Sequence, residues 1–140
     1  MVADNENNPS VLITELKKKE TGEPIASFFK MKLLELTPGY ARVAMKISPD
    51  HLNFNGMVFG GIVMALADQA FAYATNSLLS PNIATQFNIH LISGARVGEE
   101  LIAEGRVLKS GRRISVTEMT VSDPDGKLIA KATGTTVYTG

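Results

Sequence analysis

GGIVMALADQAFAYATNS, at residues 60–77, is the stretch that decides the fold of this chain. Wound as a helix, it is apolar almost all round, and such helices are enclosed by the rest of a protein instead of lying on its surface. Its many alanines would allow a sheet to approach the helix closely. We therefore predict one long enclosed helix over residues 60–77, with a sheet packed against it.

Two short helices and two strands are predicted before the long helix. Ser10 can cap a first helix that ends near Gly22, and Pro24 suits the first turn of a second one. A first strand is predicted before the turn signal Thr37-Pro38-Gly39, and the clean alternation of apolar and polar residues after that turn is typical of a second, half-buried strand. These strands are predicted at residues 31–36 and 42–47.

After the long helix the sequence changes to strands only. Tight turns connect the last three of them, including Asp123-Pro124-Asp125-Gly126, and short turns favour antiparallel pairing. The imperfect alternation in the third of these strands indicates a β-bulge there. The four strands are predicted at residues 84–92, 100–108, 114–121 and 128–138.

This order of elements predicts an α+β protein with the hotdog fold, in which one long central helix is wrapped by a curved antiparallel sheet. Residues 1–9 are polar and are predicted to be a disordered N-terminus, so the single domain covers residues 10–140. A sheet that wraps one helix has open edges, and open edges favour pairing between subunits. We therefore expect a homo-oligomer, either a homodimer or a homotetramer.

The composition disfavours several functions. With 14 Lys and Arg against 14 Asp and Glu, the chain lacks the basic excess typical of nucleic-acid binding. There are no cysteines and only two histidines, which excludes a thiolate site and leaves little for a metal. The most apolar stretch is interrupted by Asp68 and Gln69 and is shorter than the roughly 20 residues of a membrane span. With no signal peptide at its polar N-terminus, the protein is expected to be cytoplasmic.

Asp68 is the first candidate for chemistry, because it lies in the middle of the apolar helix. A carboxylate in such surroundings is costly to bury unless it is hydrogen-bonded, and desolvation raises its pKa. Perturbed carboxylates of this kind cluster at functional sites. The alternatives are a structural Asp bonded to a backbone or hydroxyl donor, or an exposed Asp on a polar stripe with Gln69.

Gly60 and Gly61 are the second candidate, because they begin the same helix. The free N–H groups of a helix start carry the positive end of its dipole, and glycine lets a substrate approach the backbone closely. Such groups can polarise a carbonyl as an oxyanion hole does. Close packing of the helix start against a strand would explain the two glycines equally well.

Gly60 and Asp68 are eight residues apart, so they lie roughly 12 Å apart along one helix. They therefore cannot both reach one carbonyl from the same helix. If both act on a single carbonyl, they must come from two subunits, with the site at the dimer interface.

HLNFNGMVFGG at residues 51–61, followed by LAD at residues 66–68, resembles the signature of the PaaI-like hotdog thioesterases of the hydroxybenzoyl-CoA thioesterase superfamily. That family typically has His-x-Asn, a Gly three residues later, His-Gly-Gly, and an Asp nine residues after the second His. The resemblance extends over about residues 24–138. It implies the hotdog fold and an acyl-CoA substrate.

The resemblance also implies catalytic roles. Asp68 would be the general base or the nucleophile, the Gly60 N–H would polarise the carbonyl, and Asn53 would hold the carbonyl or the attacking water. A Ser or Thr on the strand after the long helix often assists in relatives, and here the position falls on Ala84 or Thr85. Thr85 is therefore the fourth catalytic candidate.

A second group of residues is expected to contact the substrate or to support that contact. His51 would support the Asn53 loop by hydrogen bonding. Phe59 stands where the family has its second His, and it would favour an apolar acyl group without removing the helix N–H groups. Lys109 and Arg112 could bind the CoA phosphates, although a solvated turn explains them too. The remaining residues of the group are Met57, Val58 and Gly61.

These observations favour hydrolysis of an acyl- or aryl-CoA thioester to the free acid and CoA. No metal or organic cofactor is expected, and coenzyme A enters only as part of the substrate. The main alternative is a non-catalytic acyl-CoA or fatty-acid binding protein with the same fold. A hotdog dehydratase or hydratase is less favoured because its Asp/His or Glu/His pair is not evident. A DNA-binding regulator is disfavoured too.

Overall fold

The computed structural model describes residues 7–140 of the chain. Helices α1 and α2 come first, strands β1 and β2 follow, and a 3-10 turn leads to the long helix α3 and then to strands β3 to β6. Helices α1 and α2 are Pro9–Glu20 and Pro24–Phe29, and strands β1 and β2 are Lys32–Thr37 and Tyr40–Lys46. The 3-10 turn is Pro49–His51, and helix α3 is Gly60–Asn76. Strands β3, β4, β5 and β6 are Asn82–Leu91, Glu100–Ser110, Ile114–Ser122 and Leu128–Tyr138. Every predicted helix and strand is present, with its ends displaced by at most a few residues.

The six strands form one antiparallel sheet in the order β1-β2-β4-β5-β6-β3. The antiparallel prediction is therefore confirmed, with β1 and β3 at the two edges. The bulge predicted in β5 is wrong, because β5 pairs without an extra residue of its own. The extra residues lie in the strands beside it, at Leu108 in β4 and Ile129 in β6, and others interrupt the edge strands at Leu34 and Thr85.

Helix α3 packs across one face of the sheet. Leu66, Ala67, Ala70 and Ala74 of this helix are completely buried. On the sheet side, a Cβ atom added at Gly105 would lie only 2.6 Å from the carbonyl oxygen of Ala70. The small residues on both surfaces therefore let the helix and the sheet come into backbone contact, as the alanines of α3 indicated.

One face of α3 is not covered, which corrects the prediction that the helix is enclosed on every side. We call this face the open stripe. The sheet covers one side of the helix, and α1 and α2 cover only one flank, so side chains one helical turn apart stay exposed in the single chain. The exposed residues of the open stripe are Gly61, Met64, Asp68 and Ala72.

The N-terminal helices are tied to α3 by Glu23, which precedes α2. Its carboxylate accepts hydrogen bonds from the side-chain amide of Gln69 and from the Tyr73 hydroxyl, the latter at 3.1 Å.

The N-terminal cap of α1 differs from the prediction, because Asn8 and not Ser10 is the capping residue. The Asn8 side chain accepts from the Ser10 N–H at 3.0 Å, and the helix begins at Pro9. Of the predicted disordered segment, residues 1–6 lie outside the described residues.

Strand β3 is an exposed edge strand. Its outer side pairs with no other strand of the described chain, and none of its residues is fully buried. Ile83 and Leu91 near its two ends are exposed apolar side chains. Among the helices of residues 7–140, none is both long enough and apolar enough to cross a membrane.

Candidate active site

The start of α3 presents unused hydrogen-bond donors. The Phe59 N–H donates to the carbonyl of His51, and the Ile62 N–H donates to that of Phe59, both at 2.9 Å. Between them, the N–H groups of Gly60 and Gly61 find no acceptor within residues 7–140. Two adjacent free donors at the positive end of a 17-residue helix can stabilise a developing negative charge.

A cavity of about 390 Å³ adjoins Gly60. Its walls are largely apolar, and the end of β3 forms one of them. A Cβ atom at Gly60 would lie 2.7 Å from a methyl group of Leu91, so close packing against a strand also accounts for this glycine. The other lining residues are Gly56, Met57, Val58, Val63, Ile92, Ser93, Gly94 and Ala95.

Asn53 holds the loop before α3 in shape. Its side-chain oxygen accepts hydrogen bonds from the N–H groups of Asn55 at 2.9 Å and Met57 at 3.1 Å. Its own N–H donates to the Met57 carbonyl at 2.7 Å, and Leu52 forms a bridge with Val58. The side-chain oxygen of Asn53 is thus already engaged, which leaves its NH₂ group as the part able to donate to a substrate carbonyl or a water.

His51 supports the same loop before α3 through its ring and its backbone carbonyl. Its Nδ1 accepts a hydrogen bond from the Ser48 N–H at 3.1 Å, and its backbone carbonyl fixes the residue before Gly60. Its ring lies 6.2 Å from that of Phe29. The expected support of the loop by His51 therefore acts through Ser48 and Phe59, and His51 forms no hydrogen bond with the Asn53 side chain.

Phe59 lies over the open stripe. A Cβ atom at Gly61 would come within 2.5 Å of the Phe59 ring, so the ring rests directly on that glycine. The side chain is nevertheless 56% exposed, which is typical of an apolar group that becomes covered when a partner or a ligand binds. An aromatic ring beside free backbone donors forms a surface suited to an apolar group attached to a carbonyl.

Asp68 is exposed on the open stripe, about two turns beyond Gly61. Its carboxylate takes part in no hydrogen bond or ion pair within residues 7–140, so no donor of the kind a structural Asp requires is present there. Desolvation by the surrounding protein raises the pKa of this carboxyl above its ordinary value. Gln69 is 9% exposed and bonded to Glu23, so it does not share a polar stripe with Asp68.

Thr85 and the two basic residues lie away from Gly60 in the single chain. Thr85 is the extra residue of the β3 bulge, and its hydroxyl donates to the Thr135 carbonyl at 3.3 Å. Lys109 and Arg112 are exposed at the β4–β5 turn. The end of β4 that leads into this turn lies near the C-terminal end of α3. The Gly39 carbonyl accepts from the Val107 N–H at 2.8 Å, and the Gly39 N–H donates to the hydroxyl of Ser77, just after α3, at 2.9 Å.

The Glu23, Gln69 and Tyr73 cluster was not anticipated from the sequence. A glutamine inside an apolar helix was the only signal, because a buried amide needs partners. The partner is 46 positions away in sequence, so it could not be identified from spacing. Burial and the Glu23 carboxylate together raise the pKa of the Tyr73 hydroxyl, which stays protonated and donates.

No group of three or more His, Cys, Asp or Glu side chains able to hold a metal ion occurs within residues 7–140. The candidate groups are the backbone donors on the first turn of α3, the Asn53 amide in the loop before it and the Asp68 carboxylate about two turns along the helix. They suit charge stabilisation and proton transfer at a carbonyl.

Comparison with known proteins shows to which family of proteins this chain belongs. The sequence profile of the thioesterase superfamily matches residues 55–130. Human acyl-coenzyme A thioesterase 13 is 31% identical over 108 residues, which cover 73% of this chain and 75% of that protein. A mutant structure of the phenylacetic acid degradation protein PaaI from Thermus thermophilus superposes with a TM-score of 0.80 at 32% identity, over 84% of this chain and all of that one.

Another solved structure carries a ligand. A protein of Streptococcus mutans bound to acetyl-CoA has a TM-score of 0.76 and 26% identity, over 79% of this chain and 89% of that one. The fold is therefore the hotdog fold, as the sequence predicted. The chain belongs to the thioesterase superfamily, and it is a thioester hydrolase of the PaaI-like type.

Proposed function

We propose that this protein hydrolyses acyl-CoA thioesters to the free acid and coenzyme A. The observation that carries this proposal is that, within residues 7–140, the Gly60 and Gly61 N–H groups have no acceptor and the Asp68 carboxylate has no partner. Asp68 lies on the open stripe that also includes Gly61, and desolvation raises its pKa. The names of the human relative and the acetyl-CoA ligand of the Streptococcus mutans protein support a CoA thioester as substrate.

In this proposal the thioester carbonyl oxygen accepts from the Gly60 N–H, with the Asn53 NH₂ group as a second donor. Asp68 removes a proton from a water that attacks the carbonyl carbon, and the tetrahedral oxyanion is stabilised by the Gly60 N–H. Collapse of that intermediate breaks the C–S bond, and the CoA thiolate leaves and takes up a proton. Direct attack by Asp68, through an anhydride that water then hydrolyses, needs the same carboxylate at the same carbonyl.

The proposed site is formed by two subunits. Gly60 and Asp68 are on one helix about 12 Å apart, so a single chain does not supply both to one carbonyl. The exposed β3 edge and the adjacent open stripe provide a surface on which a second copy can pack with its α3 antiparallel. In that arrangement Gly60 of one chain faces Asp68 of the other, and a dimer or tetramer is the working form.

With Gly60 opposite Asp68, the C-terminal end of one α3, at Asn76, extends about 12 Å past the start of the other, so the β4–β5 turn of one chain lies beyond the Gly60 region of the next. Lys109 and Arg112 on that turn are proposed to bind the CoA phosphates, since guanidinium and ammonium groups suit phosphate recognition. Thr85, on the bulged edge strand, is proposed to contact the same substrate. A cytoplasmic location stays a prediction of the sequence.

The test is thiol release from aryl and from short, medium and long acyl-CoAs, for the wild type and for Asp68→Asn. A thiol-reactive dye reports only the product, because the protein has no cysteine. We expect turnover by the wild type and a loss of about 100-fold or more in the variant. A wild type that binds acyl-CoA and releases no thiol from any substrate would instead establish the non-catalytic binding protein.

A further inference from the structure

A second cavity, of about 570 Å³, lies between the N-terminal helices and the second half of α3. Its walls are Leu16, Thr21 and Pro24 on one side, and Ala72, Tyr73 and Asn76 on the other. We call it the α1–α3 cavity. Its size falls within the range of ligand pockets, and most of its lining surface is carbon.

The α1–α3 cavity begins next to the catalytic carboxylate. Ala72 follows Asp68 by four positions, so it lies one helical turn away on the same open stripe, at a distance of roughly 6 Å along the axis. A chain attached to a carbonyl at Asp68 therefore reaches the cavity by passing Ala72. The methyl group of Ala72 is small enough to leave that passage open.

The charged residues around the α1–α3 cavity do not oppose an apolar occupant. Glu23 lines it, and its carboxylate already accepts hydrogen bonds from Tyr73 and Gln69. Lys18 and Lys19 also line it, but the Lys18 side chain is 71% exposed, and long basic side chains keep the charged end in water while the stem covers apolar surface. Carbon surface therefore remains available inside.

We infer that the α1–α3 cavity holds the distal part of the acyl chain, in the subunit that supplies Asp68. This inference rests on the proposed acyl-CoA hydrolysis and names the part of the protein that selects the substrate. One wall is formed by residues 16–24, which precede the segment matched by the thioesterase superfamily profile. Chain-length selectivity thus depends on the N-terminal helices, which lie outside the segment matched by the superfamily profile, whereas Gly60 and Asp68 lie within it.

The test fills the α1–α3 cavity from either wall. Ala72→Leu adds bulk from α3, and Thr21→Trp adds it from the turn after α1, away from the open stripe, so it stays informative if Ala72→Leu disturbs assembly. Lys17→Trp is the control, because Lys17 is on the same helix end and does not line the cavity. Each variant is assayed for kcat/KM across acyl-CoAs from short to long.

We expect Ala72→Leu and Thr21→Trp to lower the ratio of long-chain to short-chain kcat/KM by about tenfold or more, and Lys17→Trp to leave the ratio unchanged. An equal loss at all chain lengths, or no change, would overturn the inference. The same variants in the Asp68→Asn background are titrated with the acyl-CoA series, and Kd must show the same length dependence. That second readout separates failure of the cavity assignment from failure of the hydrolysis proposal.

Discussion

At the scale of single residues, the Gly60 N–H can be removed with little effect on the helix. Gly60 is the first residue of α3, where proline is tolerated because its missing N–H has no helical acceptor. Phe59 already has the extended backbone that a residue before proline requires, with φ −63° and ψ 128°. A Gly60→Pro variant therefore keeps the helix and loses one donor.

We predict that Gly60→Pro lowers kcat by about 10²–10³-fold, the usual cost of removing one oxyanion donor. Gly60→Ala is the matched control, since it places a Cβ atom against the same Leu91 methyl group and keeps the N–H. It should retain most of the activity in steady-state assays. Equal losses in the two variants would mean that the close packing at Leu91, and not the N–H, explains this glycine.

Asp68 should affect stability and activity in opposite directions. Its carboxyl has a raised pKa because of desolvation, so the folded protein binds its proton more tightly than the unfolded chain does. The free energy of unfolding therefore falls as the pH rises from the ordinary carboxyl pKa to the raised one, and stays reduced above it. The proposed catalysis needs the ionised form of Asp68, so kcat/KM should rise with pH through the same raised pKa.

Asp68→Asn should accordingly have a higher Tm than the wild type near pH 7 while losing activity, and this advantage in Tm should vanish in acid below the ordinary carboxyl pKa. Thermal unfolding near pH 7 and in acid, at equal protein concentration, measures both differences in Tm. Glu100→Gln, which neutralises an exposed acid at the start of β4, controls for the change in net charge. A lower Tm for Asp68→Asn at neutral pH would contradict a desolvated carboxylate.

At the scale of the elements, the contact between α3 and the sheet depends on Gly105. A side chain there would meet the backbone carbonyl of Ala70, which cannot turn away as a flexible side chain would. Gly105→Ala should lower the free energy of unfolding by about 1–3 kcal/mol, the usual cost of overpacking. Urea denaturation measures the loss.

Gly22→Ala is the control for that substitution, because a Cβ atom at Gly22 meets nothing within 4 Å. Its effect should stay within about 0.5 kcal/mol, as for other surface changes. If both variants unfold at the same urea concentration as the wild type, then the helix and sheet do not need the close approach.

The elements themselves could be predicted from the sequence because their signals are local. The apolar run of α3, the alternation in β2 and the turn at Asp123 each define an element within a few residues. The bulges could not be located, because an extra residue is defined only by the register of the partner strand. Burial of α3 was overestimated, since periodicity does not reveal which neighbour covers each face.

The candidate site, like the fold, could be predicted only where its signals are local. The Asp68 carboxylate and the free donors at Gly60 were indicated by their positions in one apolar helix. The hydrogen bonds that the Asn53 side-chain oxygen accepts within its own loop could not be predicted. The hydrogen bond between Gln69 and Glu23 could not be predicted either, because both depend on how distant or irregular segments fold. The α1–α3 cavity likewise has walls from segments about 50 positions apart, which no local pattern connects.

At the scale of the whole molecule, a site shared between subunits predicts complementation. Gly60→Pro and Asp68→Asn should each be nearly inactive alone. When the two chains are unfolded together and refolded, about half of the dimers are mixed, and one of the two sites in each mixed dimer has both Gly60 and Asp68 intact. About a quarter of wild-type activity should return in the thiol-release assay. No recovery in a mixture whose subunits have exchanged would place both residues in one chain.

The exposed edge of β3 also affects the chain before it assembles. A strand with an unpaired side and apolar ends at Ile83 and Leu91 can accept any extended segment that reaches it. A newly synthesised chain whose β3 edge is uncovered is therefore vulnerable to aggregation. The proposed pairing of two copies would cover this edge, so substitutions that weaken the pairing should reduce the amount of intact protein in the cell in addition to its activity.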